Sequence, residues 1–213
     1  MTIGEHLEMQ RSAFARFDAA RAAELLALFD INPKKKVKAL SKGMRTAAAL
    51  CMAFANNPDI LVLDEPTSGL DPVNQRSVLK LIIDASAQGK TIIFSSHQIG
   101  QVERAAENIA IMQRGRLLVG GSVDDLKAGW KIVEAIFDTD QFSTNGISSD
   151  HNVHRMERTG RILRLSVHGG SDALVTELTN AGANVRTVDL NLEDIFLNAV
   201  DPATDTASLV EEA

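Results

Sequence analysis

The sequence predicts an α/β fold built around a parallel β-sheet, followed by a smaller α+β unit. Short, uniformly apolar segments such as 60–63 (ILVL) and 91–94 (TIIF) alternate with segments of helical periodicity. That pattern is typical of a parallel sheet covered by helices on both faces. After about Trp130 the pattern changes to strands of alternating character, as in 161–167 (RILRLSV), separated by polar stretches. These later segments predict a separate, half-buried sheet.

Length and charge limit the classes of protein to consider. The 213 residues suffice for one large domain or one domain plus a small appendage. The net charge of -6 argues against a surface devoted to nucleic acid. Cys51 is the only cysteine, which fits a reducing compartment, and its apolar neighbours predict a buried, inert thiol. The charged residues near the start argue against a signal peptide. The lack of about 20 consecutive apolar residues argues against a membrane span.

The predicted elements of the first half are defined by caps and breaks. We expect a helix over 4–29, a helix from about Lys42 to Asn56 capped by Ser41, a strand over 60–63, a helix from Pro72 to about Ala87, and a strand over 91–96. In the second half we expect a helix near 98–107, strands over 108–112, 117–119, 131–137, 161–167 and 184–190, and helices over 171–181 and 192–200. Residues 201–213 are predicted to form a frayed acidic tail.

Two adjacent carboxylates, Asp64 and Glu65, follow the apolar strand 60–63. In open parallel sheets, ligands bind beyond the carboxyl ends of the strands. Two acids there repel each other unless a divalent metal is held by one of them, which leaves the other free to act as a general base. For this segment alone, a strand end with two solvated acids is an equally good interpretation.

His97 strengthens the functional interpretation because it follows the strand 91–96, which we expect to lie beside the first strand. The two strand ends would then point into one crevice. An imidazole there can contact a phosphate oxygen or orient a water molecule. A lone histidine after a strand is more often structural, so its predicted position beside the acids is what makes it informative.

The segment 40–44 (LSKGM) places Ser41 and Gly43 at a predicted helix start. Free backbone N–H groups and the helix dipole make such a start an anion site, and Lys42 adds a positive charge. A plain serine N-cap is the simpler alternative.

Taken in order, LSKGM, an apolar helix, ILVLDEP, SGLD and SSH resemble the second half of an ABC-type ATPase. The matching motifs are the signature motif, the Walker B strand with its following glutamate, the D-loop and the H-loop. The C-terminal unit ending in LEDIFLNAV is similar to the appendage on ATP-binding subunits of many bacterial exporters and drug-resistance pumps. The resemblance covers about residues 2–200.

The resemblance implies ATP and Mg²⁺ as ligands. Asp64 would belong to the Mg²⁺ shell, Glu65 would be the general base, and His97 would contact the γ-phosphate. Asp71 would couple two sites across a dimer.

The signature motif would serve the opposite subunit of that dimer. Ser41 and Gly43 would touch the γ-phosphate of ATP held there, with Lys42 beside them. Lys42 and Met44 depart from the commoner Gly and Gln of the family, although SKGM is a familiar variant in exporter subunits.

The resemblance also divides the chain into four parts. We expect a helical subdomain with the signature motif over 1–58, a partial ATPase core of the P-loop NTPase fold over 59–130, a small α+β domain over 131–200, and a disordered tail over 201–213.

No GxxxxGK[ST] loop occurs in the sequence. The nearest candidate, 84–91 (DASAQGKT), has Asp84 in place of the first glycine and precedes a predicted strand, whereas a P-loop follows one. We therefore expect an N-terminally truncated ATPase that lacks Walker A, exposes apolar sheet edges and hydrolyses almost no ATP alone.

Three functions are compatible with these motifs. The first is the ATP-binding subunit of an ABC exporter, with a membrane permease and a second ATPase subunit as partners, at the cytoplasmic face of the membrane. The second is a non-catalytic module that donates its signature motif to a full-length ATPase. The third, a soluble ATPase acting on DNA or ribosomes, is disfavoured by the net negative charge, and we expect no nucleic-acid partner.

Overall fold

The computed structural model describes residues 1–143 and 152–200. Packing divides the chain into two compact units between Gln101 and Val102. The four-part division expected from the sequence stays a prediction, and the predicted tail 201–213 lies outside the described residues.

The first unit contains four helices and a pair of parallel strands. Their bounds are α1 Ile3–Ala13, α2 Ala19–Leu28, a 3-10 turn Val37–Ala39, α3 Lys42–Ala55, β1 Ile60–Leu63, α4 Pro72–Ala87 and β2 Thr91–Phe94. Helix α5, Ile99–Ala105, follows β2 and spans the division between the units. The predicted helices from Lys42 and Pro72 and both predicted strands are confirmed.

The single helix expected over 4–29 is wrong, because the chain forms two helices there. Phe14 leaves the helical conformation, and the carboxylate of Asp18 caps α2 by accepting a hydrogen bond from the backbone N–H of Arg21. The backbone N–H of Asp18 also donates to the carbonyl of Ala55, 2.8 Å away. Aspartate favours such local caps over a helix interior, and the bond to Ala55 fixes the break.

The parallel pair β1–β2 has one covered face and one open face. Leu61 and Leu63 are buried in the core formed with α3 and α4. On the other face Ile60, Val62 and Ile93 are 62%, 74% and 58% exposed. Alternate residues of a strand point to opposite faces, and the described helices cover only one of them. The expectation of a sheet covered on both faces is therefore wrong for the described part of the chain.

Among the residues that the structure describes, the second unit contains a hairpin, a four-stranded sheet and three helices that begin within it. Their bounds are β3 Asn108–Gln113, β4 Arg116–Ser122, α6 Val123–Gly129, β5 Trp130–Ile136, β6 Val153–Thr159, β7 Ile162–His168, α7 Ser171–Asn180, β8 Asn184–Asp189 and α8 Leu192–Val200. Strands β3 and β4 are antiparallel around the two-residue turn Arg114-Gly115, where both residues have positive φ, as a type I′ turn requires. The sequence missed α6 and β6.

The four-stranded sheet is antiparallel throughout, in the order β6-β7-β5-β8. Leu163, Leu165 and Val167 of β7 are buried, as predicted from their alternation. They pack with Leu174 and Leu178 of α7 in a core that belongs to this unit alone. This sheet therefore has a complete apolar core on one face.

Cys51 is buried in α3, and burial raises the pKa of its thiol to about 12. The predicted burial of Cys51 is confirmed, and a thiol that stays protonated is a poor nucleophile. Within residues 1–143 and 152–200, no helix combines the length and apolarity needed to cross a bilayer.

Candidate functional site

The carboxyl ends of β1 and β2 lie side by side. Leu63 pairs with Phe94 in parallel register, and the backbone N–H of Ser95 donates to the carbonyl of Leu63 at 2.9 Å. The predicted adjacency of the two strands is confirmed. The acids that follow β1 and the histidine that follows β2 therefore emerge at the same edge of the sheet.

Ser95 joins the two acids at this edge. Its hydroxyl donates to Oδ1 of Asp64 at 2.5 Å and accepts a hydrogen bond from the backbone N–H of Glu65 at 2.9 Å. Sequence reasoning did not single out Ser95. Ser95 could have been found from the register of the two parallel strands, because the first residue after β2 lies beside the first residue after β1.

Glu65 has a strained backbone and a carboxylate that meets His97. Its φ of +46° lies in the left-handed region, which a residue with a side chain rarely adopts. Such strain concentrates at functional sites. Oε2 of Glu65 lies 2.9 Å from Nδ1 of His97, and the side chains are 33% and 69% exposed respectively. The structure therefore brings Asp64, Glu65 and His97 together, in a place that a ligand can reach.

The site carries negative charge that basic side chains do not offset. Neither Asp64 nor Glu65 forms an ion pair with a lysine or arginine of the described ranges. In that same part of the chain no three His, Cys, Asp or Glu side chains are placed so that they could hold a metal ion by themselves. Mg²⁺ is commonly held by one or two carboxylates together with substrate phosphates and water. The oxygen donors present fit that mode of Mg²⁺ binding.

The start of α3 is capped as the simpler interpretation of Ser41 predicts. Oγ of Ser41 accepts a hydrogen bond from the backbone N–H of Met44 at 3.2 Å, so the N-cap is confirmed. A contact of Ser41 with a phosphate stays a prediction.

Gly43 is required by packing inside the chain. A Cβ atom built there would lie 2.4 Å from the carbonyl oxygen of Gly69. Gly69 has a φ of +75°, and a Cβ built on it would lie 3.4 Å from Cδ of Lys42. The start of α3 thus sits directly on the loop 66–71 that leads from the acids to α4.

Asp71 ends that loop as the N-cap of α4. Its Oδ1 accepts hydrogen bonds from the backbone N–H groups of Val73 and Asn74 at 2.9 and 3.0 Å. The backbone N–H and side-chain amide of Asn74 hold the pKa of Asp71 below its usual value. The predicted residues thus form two clusters, Asp64 with Glu65 and His97, and Ser41 to Gly43 on the loop that ends at Asp71.

Comparison with known proteins gives one partial family match. Residues 9–102 match the family described as "AAA domain, putative AbiEii toxin, Type IV TA system". This match covers less than half of the chain.

Curated relatives match more of the chain. The ABC transporter ATP-binding protein YtrB of Bacillus subtilis (strain 168) is 27% identical over 198 residues, which is 92% of this chain and 67% of YtrB. The uncharacterised ABC transporter ATP-binding protein sll0415 of Synechocystis is 30% identical over 207 residues, 92% of this chain and 57% of that protein. Over most of its length the chain is therefore similar to ABC transporter ATP-binding proteins.

The name of a third relative states its cargo. The Nod factor export ATP-binding protein I of Cupriavidus pinatubonensis is 31% identical over 165 residues, 76% of this chain and 50% of that protein. The chain therefore spans between half and two thirds of the length of these ABC relatives.

Solved structures of ABC proteins share the fold, which confirms the predicted α/β fold class. The structure titled "Structure of ATP binding subunit of ABC transporter" aligns with a TM-score of 0.56 and 28% identity, over 60% of this chain and 55% of that one. The dimeric cassette MJ0796 aligns with a TM-score of 0.50 and 25% identity, over 57% and 56% of the two chains.

Proposed function

We propose that this chain is the ATP-hydrolysing part of the ATP-binding subunit of an ABC exporter. The observation that carries the proposal is the convergence of Asp64, Glu65 and His97 at the carboxyl ends of two neighbouring parallel strands. Ligands of open α/β sheets bind at this place.

Glu65 acts as the general base. Its carboxylate accepts the proton of an attacking water, and the contact between its Oε2 and Nδ1 of His97 orients it. His97 is the more exposed of the two, so its imidazole can also reach a phosphate oxygen. When bound, ATP would supply the phosphoryl group, and its Mg²⁺ ion would supply the positive charge that offsets the two acids.

Asp64 would hold the metal. Oδ1 accepts the hydrogen bond from Ser95, which fixes the carboxylate and leaves Oδ2 for the Mg²⁺ shell. A single well-oriented carboxylate suits an ion that takes its other ligands from phosphates and water.

The partners in this proposal are a second ATPase subunit and a membrane permease, on the cytoplasmic side of the membrane. Ser41, Lys42 and Gly43 would contact ATP held by the second subunit, and Asp71 would couple the two sites. The dimeric cassette MJ0796 supports the dimer, and the name of the Nod factor export relative supports the direction of transport.

A chimaera tests the assignment of Glu65. The 213 residues contain no GxxxxGK[ST] loop, so we expect no measurable ATP turnover by the chain alone. A strand–loop–helix segment that carries such a loop, joined ahead of Thr2, supplies the phosphate cradle. We expect Mg²⁺-dependent turnover that falls about 10²- to 10⁴-fold in Glu65→Gln, as loss of a general base does.

The control is Glu157→Gln, which neutralises a half-exposed carboxylate of the second unit and should leave turnover unchanged. Equal turnover by the original chimaera and its Glu65→Gln variant would overturn the assignment of Glu65.

A further inference from the structure

Thr67 and Gln101 form a buried polar contact that the proposed chemistry does not use. They are 1% and 5% exposed, which makes them unusual among polar residues. The Thr67 hydroxyl donates to Oε1 of Gln101 at 2.7 Å, across 34 positions of sequence. A buried hydroxyl and a buried amide need such partners because their desolvation is otherwise unfavourable.

The side-chain amide of Gln101 forms hydrogen bonds through both its oxygen and its nitrogen. While Oε1 accepts from Thr67, Nε2 donates to Oε1 of Gln75 at 3.1 Å and to Oε1 of Gln98 at 2.5 Å. Only an amide side chain offers an acceptor and two donors in one plane. The amide of Gln75 also donates to the carbonyl of Thr67, at 3.4 Å. The loop is therefore held by both the side chain and the backbone of Thr67.

The two residues lie on the segments that carry the two clusters of the candidate site. Thr67 follows Glu65 in the loop 66–71, and Gln101 lies four residues after His97, in the first turn of α5. The same loop presents the carbonyl of Gly69 to Gly43 at the start of α3. A shift of this loop would therefore move the start of α3 relative to Glu65 and His97.

We infer that Thr67 and Gln101 are positioning residues, whose hydrogen bond holds the loop 66–71, and through Gly69 the start of α3, in register with Glu65 and His97. The functional meaning of that register rests on the proposed ATPase site. The hydrogen bond acts through the loop and touches no reacting atom.

Amide hydrogen exchange of the 213-residue chain tests the inference without nucleotide. The backbone N–H of Ser68 donates to the carbonyl of Glu65, and that of Leu70 donates to the carbonyl of Thr67, so both amides report on the loop. We expect Thr67→Val, which keeps the shape and removes the hydroxyl, to speed exchange at both by about 10-fold or more. Thr67→Ser keeps the hydroxyl and should stay within about twofold of the original chain.

A second variant gives the same test if Thr67→Val does not fold. Gln101→Leu removes the acceptor from the other side, and we expect the same faster exchange. Gln101→Leu also removes the bonds to Gln75 and Gln98. Thr67→Val should therefore add no further increase in the double variant, because its partner is already gone. Unchanged exchange in both single variants, or equally fast exchange in Thr67→Ser, would overturn the inference.

A final arm in the P-loop chimaera separates this inference from the proposed function. We expect Thr67→Val to lower kcat with little change in KM, and Thr67→Ser to restore it. Faster exchange in Thr67→Val together with an unaltered kcat would leave the loop contact real but overturn its positioning role. If Glu65→Gln leaves the ATP turnover of the chimaera unchanged, the proposed function is contradicted instead.

Discussion

The parallel pair β1–β2 and the four-stranded sheet hold their acidic residues in opposite ways. Glu134 lies mid-strand in the four-stranded sheet, with a side chain 6% exposed between Arg164 and Arg186 of the flanking strands, at 2.8 and 2.5 Å. Asp64 and Glu65 lie just beyond the end of a strand, and no lysine or arginine of the described residues pairs with either. A carboxylate whose oxygens are both paired is built for stability, whereas one left without a cation is available to a ligand.

The two sheets also differ in how deeply their apolar residues are buried. Leu165 and its neighbour Val133 are fully buried in the second unit, whereas Val62 of the first unit is 74% exposed. The second unit thus completes a core from its own residues. The first unit presents an open apolar face beside its candidate site.

The largest expected effect tests this difference in burial. Leu165→Ala should lower the free energy of unfolding of the second unit by about 2–5 kcal/mol, because it leaves a cavity in a packed core. Val62→Ala removes exposed atoms and should change stability by less than about 0.5 kcal/mol. Urea denaturation followed by circular dichroism measures both, and equal losses in the two variants would contradict the contrast.

A smaller effect tests the paired carboxylate. Glu134→Gln should cost about 2 kcal/mol at pH 7, since it weakens hydrogen bonds between charged groups. The bond from Arg164, followed by that from Arg186, holds the pKa of Glu134 below its usual value. The unfolded chain therefore takes up the proton first as pH falls, and the stabilisation is complete above about pH 4.3, the ordinary glutamate pKa.

The measurement is the difference in unfolding free energy between the original chain and Glu134→Gln at several pH values. We expect this difference to shrink as pH falls below the ordinary glutamate pKa and through the lowered one. The control is Glu157→Gln, whose carboxylate is half exposed and should contribute less than about 0.5 kcal/mol. A difference that grows on acidification would show that the sign is wrong.

The smallest effect concerns a histidine of the second unit. The ring of His154 lies 4.6 Å from that of the buried Trp130 and 6.1 Å from that of His168. Burial, followed by the charge of His168, lowers the pKa of His154. Because the unfolded chain protonates first, near pH 6.5, stability should fall as pH drops below that value.

His154→Phe keeps a ring beside Trp130 and removes the titrating group, so it should flatten the pH dependence between about pH 7 and pH 5. The thermal unfolding midpoint across this range is the readout. A midpoint that falls as steeply in the variant as in the original chain would contradict the assignment to His154.

The sequence predicted the elements whose signals are local and missed those that depend on distant partners. Strand 60–63 and the helix from Pro72 were predictable because apolar runs and caps are local features. Strand β6, VHRMERT, is mostly polar and is held by its pairing with β7, so its own residues give little strand signal. The break at Asp18 depends on a bond to Ala55, which periodicity does not show.

The same division applies to the candidate site. Asp64, Glu65 and His97 were predictable because each follows an apolar run at a strand end. Ser95 required knowledge of the register between β1 and β2. The packing role of Gly43 required its distance to Gly69, which only the folded chain shows.

The most direct test of the central claim measures Glu65→Gln and Glu134→Gln side by side in the P-loop chimaera. Both changes replace one carboxylate by an amide of the same shape. We predict opposite results for the two variants. Glu65→Gln should lose ATP turnover and keep its unfolding free energy. Glu134→Gln should lose unfolding free energy and keep ATP turnover. If Glu65→Gln instead destabilises the fold as much as Glu134→Gln does and turnover survives it, the strand-end acids are structural and the account is contradicted.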